Sequence, residues 1–305
     1  MYHKFINNFP AIKSYFTGVD EVSNNPKNLP PIHETKPDTF EKTGSVEQKE
    51  LEKLFPDNEL SAIFDNIVKE YGLENPPELE LVYNSEGSAD IAYATHISNK
   101  IVLNLDNILS PDIYKFLTEK DGKKEYCKNE NSKQLRIIKT DKQSEIDEII
   151  EYNKQLGADD CKAEKLSDDD KRKYVISVLA HELEHCYQIQ VVRHTEGLDA
   201  FKMIETQLKN SSNKPKTNML NEKIIFEELK RKYYANLKDD YTKKIYTKDS
   251  TQGQKAAEWY NAAVNYTDFN KDYDAYIKNP LEVDANNRAH QYLTEHYGDF
   301  IFEVS

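Results

Sequence analysis

Two histidines and a glutamate lie close together in the segment His181-Glu182-Leu183-Glu184-His185, which matches the pattern His-Glu-x-x-His. The four-residue spacing places both imidazoles on one face of a helix, one turn apart, so that both can bind a single metal ion. Zinc held there would lower the pKa of a water molecule, and Glu182 can take the proton from that water and pass it to a leaving amine. The motif therefore predicts zinc-dependent hydrolysis of peptide bonds.

The residues around the motif favour a long buried helix. Apolar side chains accompany it at helical spacing, among them Val178, Leu183 and Ile189. Three aspartates at positions 168–170 precede it, where negative charge stabilises a helix N-terminus. The alternative is an amphipathic helix whose two histidines pack against neighbours or face water without binding metal.

A catalytic zinc site needs a third protein ligand and leaves the fourth position for water. Glu282 is the better candidate, because Pro280 suits the first turn of a helix and places Glu282 near its start. The small residues Ala285 and Ala289 allow that helix to pack closely. Asn286, one turn beyond Glu282, lies on the same face and can hydrogen-bond a zinc-bound histidine. The alternative is an ordinary glutamate on a C-terminal helix.

Several other side chains near these two segments are weaker candidates for a role in catalysis or metal binding. Tyr273, Tyr276 and His290 flank the second helix, and a phenol or imidazole there can donate to the tetrahedral intermediate of peptide hydrolysis. With 20 tyrosines in the chain, each one is more often a core or surface residue. His194 is a poor ligand candidate, because it lies nine residues past His185 on the same helix or at its end.

Two further residues are expected to be structural. Cys186 follows His185 directly and turns away from the metal by about 100° on the helical wheel, so we expect it in the core. His96 lies in a predicted β-hairpin, where a structural role is the simpler interpretation.

The two motifs together resemble the gluzincin zinc metallopeptidases, in particular the minigluzincins and the ImmA/IrrE-type metallopeptidases. The matching residues are His181-Glu182-x-x-His185 and Glu282-x-x-Ala285-Asn286. The resemblance implies that His181, His185 and Glu282 are zinc ligands and that Glu182 is the general base.

This resemblance is local and covers roughly residues 78–105, 172–190 and 273–293. It implies an α+β, zincin-like fold in which a small twisted sheet with a hairpin packs on the active-site helix. A second helix delivers Glu282, and the C-terminal part is mostly helical.

The sequence departs from the family pattern in three places. Asp284 stands where the second motif often has a glutamate. Glu184 occupies a position of the motif that is usually uncharged, at the flank of the helix face that carries the two histidines. There it either points into the cleft or is solvated, and we expect it to be solvated. The 96 residues between His185 and Glu282 exceed the gap in the smallest members.

The chain as a whole divides into a tail and one domain. Residues 1–47 are polar and punctuated by proline, which predicts a tail or extended arm, with a pro-segment over the active site as the alternative. Residues 48–305 are predicted to form the metallopeptidase domain, with a helical insertion at about 196–270.

Local patterns predict the elements of this domain. Helical spacing over 47–71 ends at Gly72, and a continuous helix precedes His194. Strands are predicted at 78–83, 90–97 and 100–105, the last two as a hairpin through Ser98-Asn99. Polar helices and long charged loops are predicted for 111–170, and charged, tyrosine-rich helices for 196–270.

The composition argues against several classes of function. The 305 residues have a net charge of -13, which disfavours a broad electrostatic contact with nucleic acid or an anionic membrane. The three cysteines, Cys127, Cys161 and Cys186, form no disulfide framework and fit a reducing compartment. The chain has neither a classical signal peptide nor a membrane-length apolar stretch, so we expect a cytoplasmic protein whose partner is a peptide or protein substrate.

Two other functions are compatible with the sequence. A zincin-like binding or regulatory module would keep the metal and lack catalysis, although the intact Glu182 argues against it. Alternatively the motif is accidental, and the acidic, tyrosine-rich helices form a surface for a partner protein. Zinc bound without cleavage of any peptide would favour the first function, and folding indifferent to chelators would favour the second.

Overall fold

The computed structural model describes residues 46–82, 92–105, 109–120, 123–126, 138–210, 219–238, 240, 242–266, 275–276 and 278–298. The helices in these ranges are α1 (Val46–Leu54), α2 (Glu59–Tyr71), α3 (Gln143–Gln155), α4 (Asp168–Arg193), α5 (Ala200–Asn210), α6 (Met219–Ala235), α7 (Thr251–Val264) and α8 (Pro280–Tyr297). The strands are β1 (Glu78–Val82), β2 (Ala92–Thr95), β3 (Lys100–Asn104), β4 (Ile113–Lys120), β5 (Lys123–Tyr126), β6 (Ile138–Lys139) and β7 (Lys162–Lys165). Helices thus accompany small sheets, which is the expected α+β class. Nearly all of the predicted 1–47 tail lies outside the described residues.

The long helix α4 is the central element, as its apolar pattern predicts. Ser167 caps its N-terminus: the Ser167 hydroxyl accepts from the backbone N–H of Asp170, and the Asp170 carboxylate accepts from the backbone N–H of Ser167. Asp170 also forms an ion pair with Lys115 of β4 at 2.8 Å. The helix packs against α8, α2 and α7, so most of its length is buried.

A three-stranded sheet in the order β1-β3-β2 packs on α4. β3 runs parallel to β1 and antiparallel to β2, which confirms the predicted hairpin. The turn of this hairpin holds Asn99 at a φ of 52°, and the Asn99 amide donates to the carbonyl of Pro76 at 3.0 Å. Among the described strands, β2 pairs with β3 alone and so forms one edge of this sheet.

A second sheet overturns part of the prediction for residues 111–170. Strand β4 pairs antiparallel with β5, β6 and β7 where polar helices and loops were expected. Its lysines and glutamates have low strand propensity, and only a small core of Phe116, Ile146 and Cys161 lies beneath it. Strands β6 and β7 lie farther along the chain from β4, so local composition could not indicate those two pairings. Strand β5 follows β4 after two residues, and this local pairing was missed. The helix α3 in this region agrees with the prediction.

The predicted helical segment 47–71 is interrupted. A short 3₁₀ turn at Pro56–Asn58 separates α1 from α2, with Asp57 and Asn58 at positive φ. Proline lacks the backbone N–H that a continuous helix needs, which explains the break. Gly72 ends α2 in the left-handed conformation, as predicted.

Helices α5, α6 and α7 of the 196–270 region pack on the C-terminal half of α4. Their side chains, among them Tyr233 and Trp259, form a hydrophobic cluster with α4 and with Leu281 of α8. A separate cluster joins α1, α2, the first sheet, the N-terminal half of α4 and the C-terminal half of α8. The His181–His185 segment of α4 lies where the two clusters meet. That residues 196–270 are an insertion in a single domain stays a prediction.

None of the helices in the described part of the chain is long and apolar enough to cross a membrane.

Candidate metal centre

Helices α4 and α8 bring the three predicted ligands together. The Nε2 atoms of His181 and His185 lie 3.1 Å apart. The Oε2 atom of Glu282 lies 3.5 Å from the first of these nitrogens and 3.7 Å from the second. The four-residue spacing on α4 positions the histidines, and Pro280 at the start of α8 places Glu282 in its first turn. Ala285 and Ala289 are fully buried, as the close packing of α8 requires.

The separations fit a tetrahedral metal ion. Ligand atoms about 2.0–2.2 Å from zinc lie about 3.3–3.6 Å from one another in a tetrahedral site. The three distances, 3.1, 3.5 and 3.7 Å, bracket that range. Two imidazoles and one carboxylate are also a donor set that catalytic zinc sites use. The donor atoms are therefore compatible, in chemistry and spacing, with a tetrahedral metal ion.

The electrostatics of the three side chains are strongly coupled. His181 is 3% exposed and Glu282 is 4% exposed, so their polar atoms have little contact with water. Burial raises the pKa of Glu282, but the charges and hydrogen bonds of His185 and His181 together outweigh this effect and leave the pKa well below its usual value. Burial lowers the pKa of His185, but the Glu282 carboxylate, with smaller contributions from Glu182 and Gln188, outweighs that effect and raises the pKa to about 9.

This coupling predicts a proton linked to metal binding. With a pKa of about 9, His185 holds a proton at pH 7 in the metal-free protein, and a metal must displace it. We expect zinc binding at pH 7 to release about one proton from this site, and affinity to rise with pH until about 9. Calorimetry in buffers of different ionisation enthalpy measures the release. Proton-neutral binding at pH 7 would contradict the assignment of His185.

The raised pKa of His185 also makes the stability of the metal-free protein depend on pH. The folded-state pKa of His185 lies above its ordinary value of 6.5. Its contribution to stability is therefore full below about pH 6.5 and is lost as the pH rises through 9.

Gln188 orients His185, a role that was not predicted from the sequence. The Gln188 Nε2 donates to the carbonyl of Leu281 at 3.0 Å, which turns its Oε1 toward His185. The Nδ1 of His185 lies 3.0 Å from that oxygen and must donate to it. The Nε2 of His185 is thereby the nitrogen that faces Glu282, and Gln188 ties α4 to α8. Its position three residues after His185, on the same side of the helix, was the available signal.

Replacing Gln188 should weaken metal binding. We expect Gln188→Ala to reduce zinc affinity by about 10- to 100-fold, because His185 loses the partner that fixes its orientation. Competition with a chromogenic chelator measures the change. Gln190→Ala is the matched control, since buried Gln190 bonds to the Gly72 carbonyl and the Glu74 N–H, away from the site. Equal losses of zinc affinity in both variants would contradict the role of Gln188.

Two tyrosines hold the Glu282 carboxylate. The Tyr276 hydroxyl donates to Oε2 at 2.9 Å, and the Tyr266 hydroxyl donates to Oε1 at 3.2 Å. Their rings meet edge to face, with centroids 5.9 Å apart. Tyr266 was not predicted, and its place in a tyrosine-rich region gave no signal. The oxyanion role of Tyr276 stays a prediction, and its contact with Glu282 makes it a positioning residue in this structure.

The remaining predicted residues occupy different surroundings. His290 is exposed, two turns beyond Glu282 on α8, and its oxyanion role stays a prediction. Tyr273 lies outside the described residues. The Oδ1 of Asn286 and the Nδ1 of His181 are both buried without a hydrogen-bond partner in the described part of the chain. The predicted support of a zinc-bound histidine by Asn286 would satisfy both atoms, and it stays a prediction.

The two glutamates of the motif have opposite environments. Glu182 is half-buried, and its charge acts on both His185 and Tyr276. Glu184 is only 5% exposed, so the expectation that it is solvated is wrong. Burial raises the pKa of Glu184 to about 8, against the opposing charge of Arg288 on α8. The packing of α8 over this flank of α4 explains the difference.

Asp284 has two partners on α7. The indole N–H of Trp259 donates to the Asp284 carboxylate at 2.7 Å, and the Lys255 ammonium lies 2.6 Å from the same oxygen. Both partners belong to α7. Asp284 therefore fastens α8 to α7, and the 196–270 region supports the helix that carries Glu282.

Three residues expected to lie outside the metal site do so. The Nδ1 of buried His194 lies 2.9 Å from the carbonyl of Lys243, at the end of α4. Cys186 is half-buried and packs against the first hydrophobic cluster, so it belongs only partly to the core. His96 is half-buried; burial, followed by the charges of His185 and Arg193, lowers its pKa to about 3.

Comparisons of the chain with family models, with curated proteins and with solved structures find no match. The function proposed below is therefore supported by the geometry and chemistry of this site alone.

Proposed function

We propose that this chain is a zinc-dependent peptidase of the gluzincin type, with a zincin-like fold. The observation that carries the proposal is the convergence of His181, His185 and Glu282, whose ligand atoms lie 3.1–3.7 Å apart, beside the half-buried Glu182. In this proposal His181, His185 and Glu282 hold the zinc. Zinc bound there would lower the pKa of a water molecule to near neutrality and polarise the carbonyl of the scissile bond.

Glu182 is the proposed general base. No hydrogen bond from the described residues holds its carboxylate, so it is free to accept a proton from the attacking water. The water oxygen bonds to the carbonyl carbon, and Glu182 passes the proton to the nitrogen as the C–N bond breaks. The products are a free carboxylate and an amine.

The chain's other residues keep this geometry fixed. Gln188 selects the nitrogen of His185 that faces the site, and Tyr266 and Tyr276 hold the two oxygens of Glu282. Such fixed hydrogen bonds keep reacting groups in place at no reorganisation cost during the reaction. Strand β2 packs on α4 and, among the described strands, pairs with β3 alone, so a substrate peptide extended beside β2 would lie next to the motif helix.

Metal analysis combined with a peptide-library digest tests the proposal. We expect about one zinc per chain in protein purified without chelators, and cleavage products that disappear when a chelator removes the metal. Absence of zinc from such protein would sink the proposal. One bound zinc with no cleavage of any library peptide would instead support a catalytically silent zincin-like module, in which Glu182 has no catalytic role.

A further inference from the structure

The two oxygens of the Glu282 carboxylate have different neighbours. Oε2 faces the histidines and lies 3.5 Å from the Nε2 of His181 and 3.7 Å from the Nε2 of His185. Oε1 accepts a hydrogen bond from the Tyr266 hydroxyl at 3.2 Å. Glu282 is buried, so water has little access to either oxygen. The carboxylate therefore presents Oε2 to the metal position while Oε1 is bonded to the protein.

The hydrogen bonds on this carboxylate affect its two oxygens differently. The Tyr276 hydroxyl donates to Oε2 at 2.9 Å, and a carboxylate oxygen has a second acceptor position that remains for a metal ion. Oε1 can approach the same ion only if the carboxylate of Glu282 turns. That turn lengthens the bond from Tyr266, which at 3.2 Å is already long for an O–H···O hydrogen bond. The bond from Tyr266 thus opposes binding of a metal by both oxygens.

The Tyr266 side chain is held in place by contacts other than its bond to the carboxylate. Tyr266 follows the end of α7, and its backbone N–H donates to the Ala263 carbonyl at 3.2 Å. The bond of 2.7 Å from Trp259 to Asp284 joins α7 to α8, the helix that carries the carboxylate. The ring of Tyr266 also meets the Tyr276 ring edge to face. Packing therefore sets the position of the Tyr266 hydroxyl before a metal binds.

The number of oxygens that a carboxylate offers affects which metal a site prefers. Zinc in catalytic sites takes one atom from each of three protein ligands and keeps a fourth position for water. Manganese prefers an octahedral set of oxygen ligands, and calcium takes still more oxygens, including both oxygens of one carboxylate. A carboxylate limited to one oxygen therefore favours zinc over these cations.

We propose that Tyr266 is a positioning residue that limits Glu282 to one metal-binding oxygen and so favours zinc over cations that take more oxygen ligands. This inference rests on the metal site of the proposed function and concerns which metal that site selects. It assigns to the 196–270 region, in which Tyr266 lies, a part in the metal centre itself.

Cobalt(II) bound in place of zinc reports the coordination number, because four-coordinate cobalt absorbs visible light much more strongly than five- or six-coordinate cobalt. The full-length protein and its variants are loaded with cobalt, and their visible spectra are compared at equal occupancy. We expect the wild type to show the strong absorption and Tyr266→Phe to lose most of it, because the freed Oε1 of Glu282 can join the ion. Phenylalanine keeps the ring and its packing, so the variant should fold.

Two further variants serve as controls for the spectra. Tyr276→Phe removes the donor on the metal-facing oxygen and should keep the strong absorption, because Tyr266 still holds Oε1. Tyr260→Phe removes the hydroxyl of another half-buried tyrosine, on α7, and should also keep it. A wild type without the strong absorption would overturn the inference. An undiminished spectrum in Tyr266→Phe, or an equal loss in Tyr276→Phe, would overturn it as well.

Competition with a chelator of known affinity measures the consequence for metal selectivity. We expect the ratio of zinc affinity to manganese affinity to fall about 10-fold in Tyr266→Phe, the lower end of what a partner of a metal ligand contributes. Tyr260→Phe should keep the wild-type ratio. An unchanged ratio in Tyr266→Phe would overturn the claim that this residue favours zinc.

These measurements need no substrate, so failure of this inference is distinguishable from failure of the proposed function. If the metals bind with the expected spectra and no peptide is cleaved, the role of Tyr266 stands and the peptidase function falls. If peptides are cleaved and the spectra of the wild type and Tyr266→Phe agree, the role of Tyr266 falls and the peptidase function stands. If neither zinc nor cobalt binds, both fall.

Discussion

Glu182→Gln is expected to abolish peptide hydrolysis while the protein keeps its zinc. The amide cannot take a proton from water, and a positioned general base contributes about 10²- to 10⁴-fold to the rate. The three ligands are untouched, so the zinc content should stay at about one per chain. Turnover of a library-derived peptide and elemental analysis of the same preparation measure both quantities.

Glu184→Gln is the matched control for this variant. It makes the same chemical change two residues along the helix, on a side chain buried against α8 rather than open to the site. With a pKa of about 8, Glu184 is mostly protonated at pH 7, and glutamine closely resembles that form. We expect its kcat to stay within a few-fold of the wild type. Full activity of Glu182→Gln, or equal losses in both variants, would contradict the assignment of the base.

The second large effect is expected from removing the third ligand. Glu282→Gln should weaken zinc binding by more than about 100-fold, because the loss of a direct ligand exceeds that of a supporting residue. In the wild type, zinc at about 1,000 times its Kd adds about 4 kcal/mol of stability. Chelation should therefore lower Tm by roughly 10 °C, and the variant should melt like the chelated wild type. Differential scanning calorimetry measures these shifts.

Glu295→Gln provides the control on the same helix. Glu295 is exposed near the end of α8, so the change in charge is identical while the site is untouched. It should keep about one zinc per chain and the wild-type response to chelation. Wild-type zinc affinity in Glu282→Gln would show that another residue is the third ligand.

The parts of the structure that the sequence predicted depend on local periodicity. The apolar pattern around residues 178–189 is enough to define a buried helix, and Pro280 is enough to start another. The contact between His185 and Glu282 joins residues that are 97 positions apart. It depends on packing of α8 through Ala285 and Ala289. The sequence indicated it through the need for a third ligand and the helix start at Pro280, to which the resemblance between motifs was added.

The parts that the sequence did not predict depend on tertiary packing. Glu184 was expected in water because a charged residue at the flank of a helix is usually solvated, but α8 covers it. The sheet around β4 holds lysines and glutamates, and its pairing with β7 joins segments that are far apart in the chain. Gln188 and Tyr266 gain their roles only once α8 lies beside α4.

The bond between Trp259 and Asp284 has a practical consequence. Trp259 is the single tryptophan of the chain, and its indole N–H is bonded to a residue two positions from Glu282. An indole's emission depends on its hydrogen bonding and on nearby charge. Any shift of α8 against α7 when the site is loaded or stripped would therefore alter the intrinsic fluorescence. Under the proposed function, we therefore expect the emission of Trp259 to report metal binding without an added label.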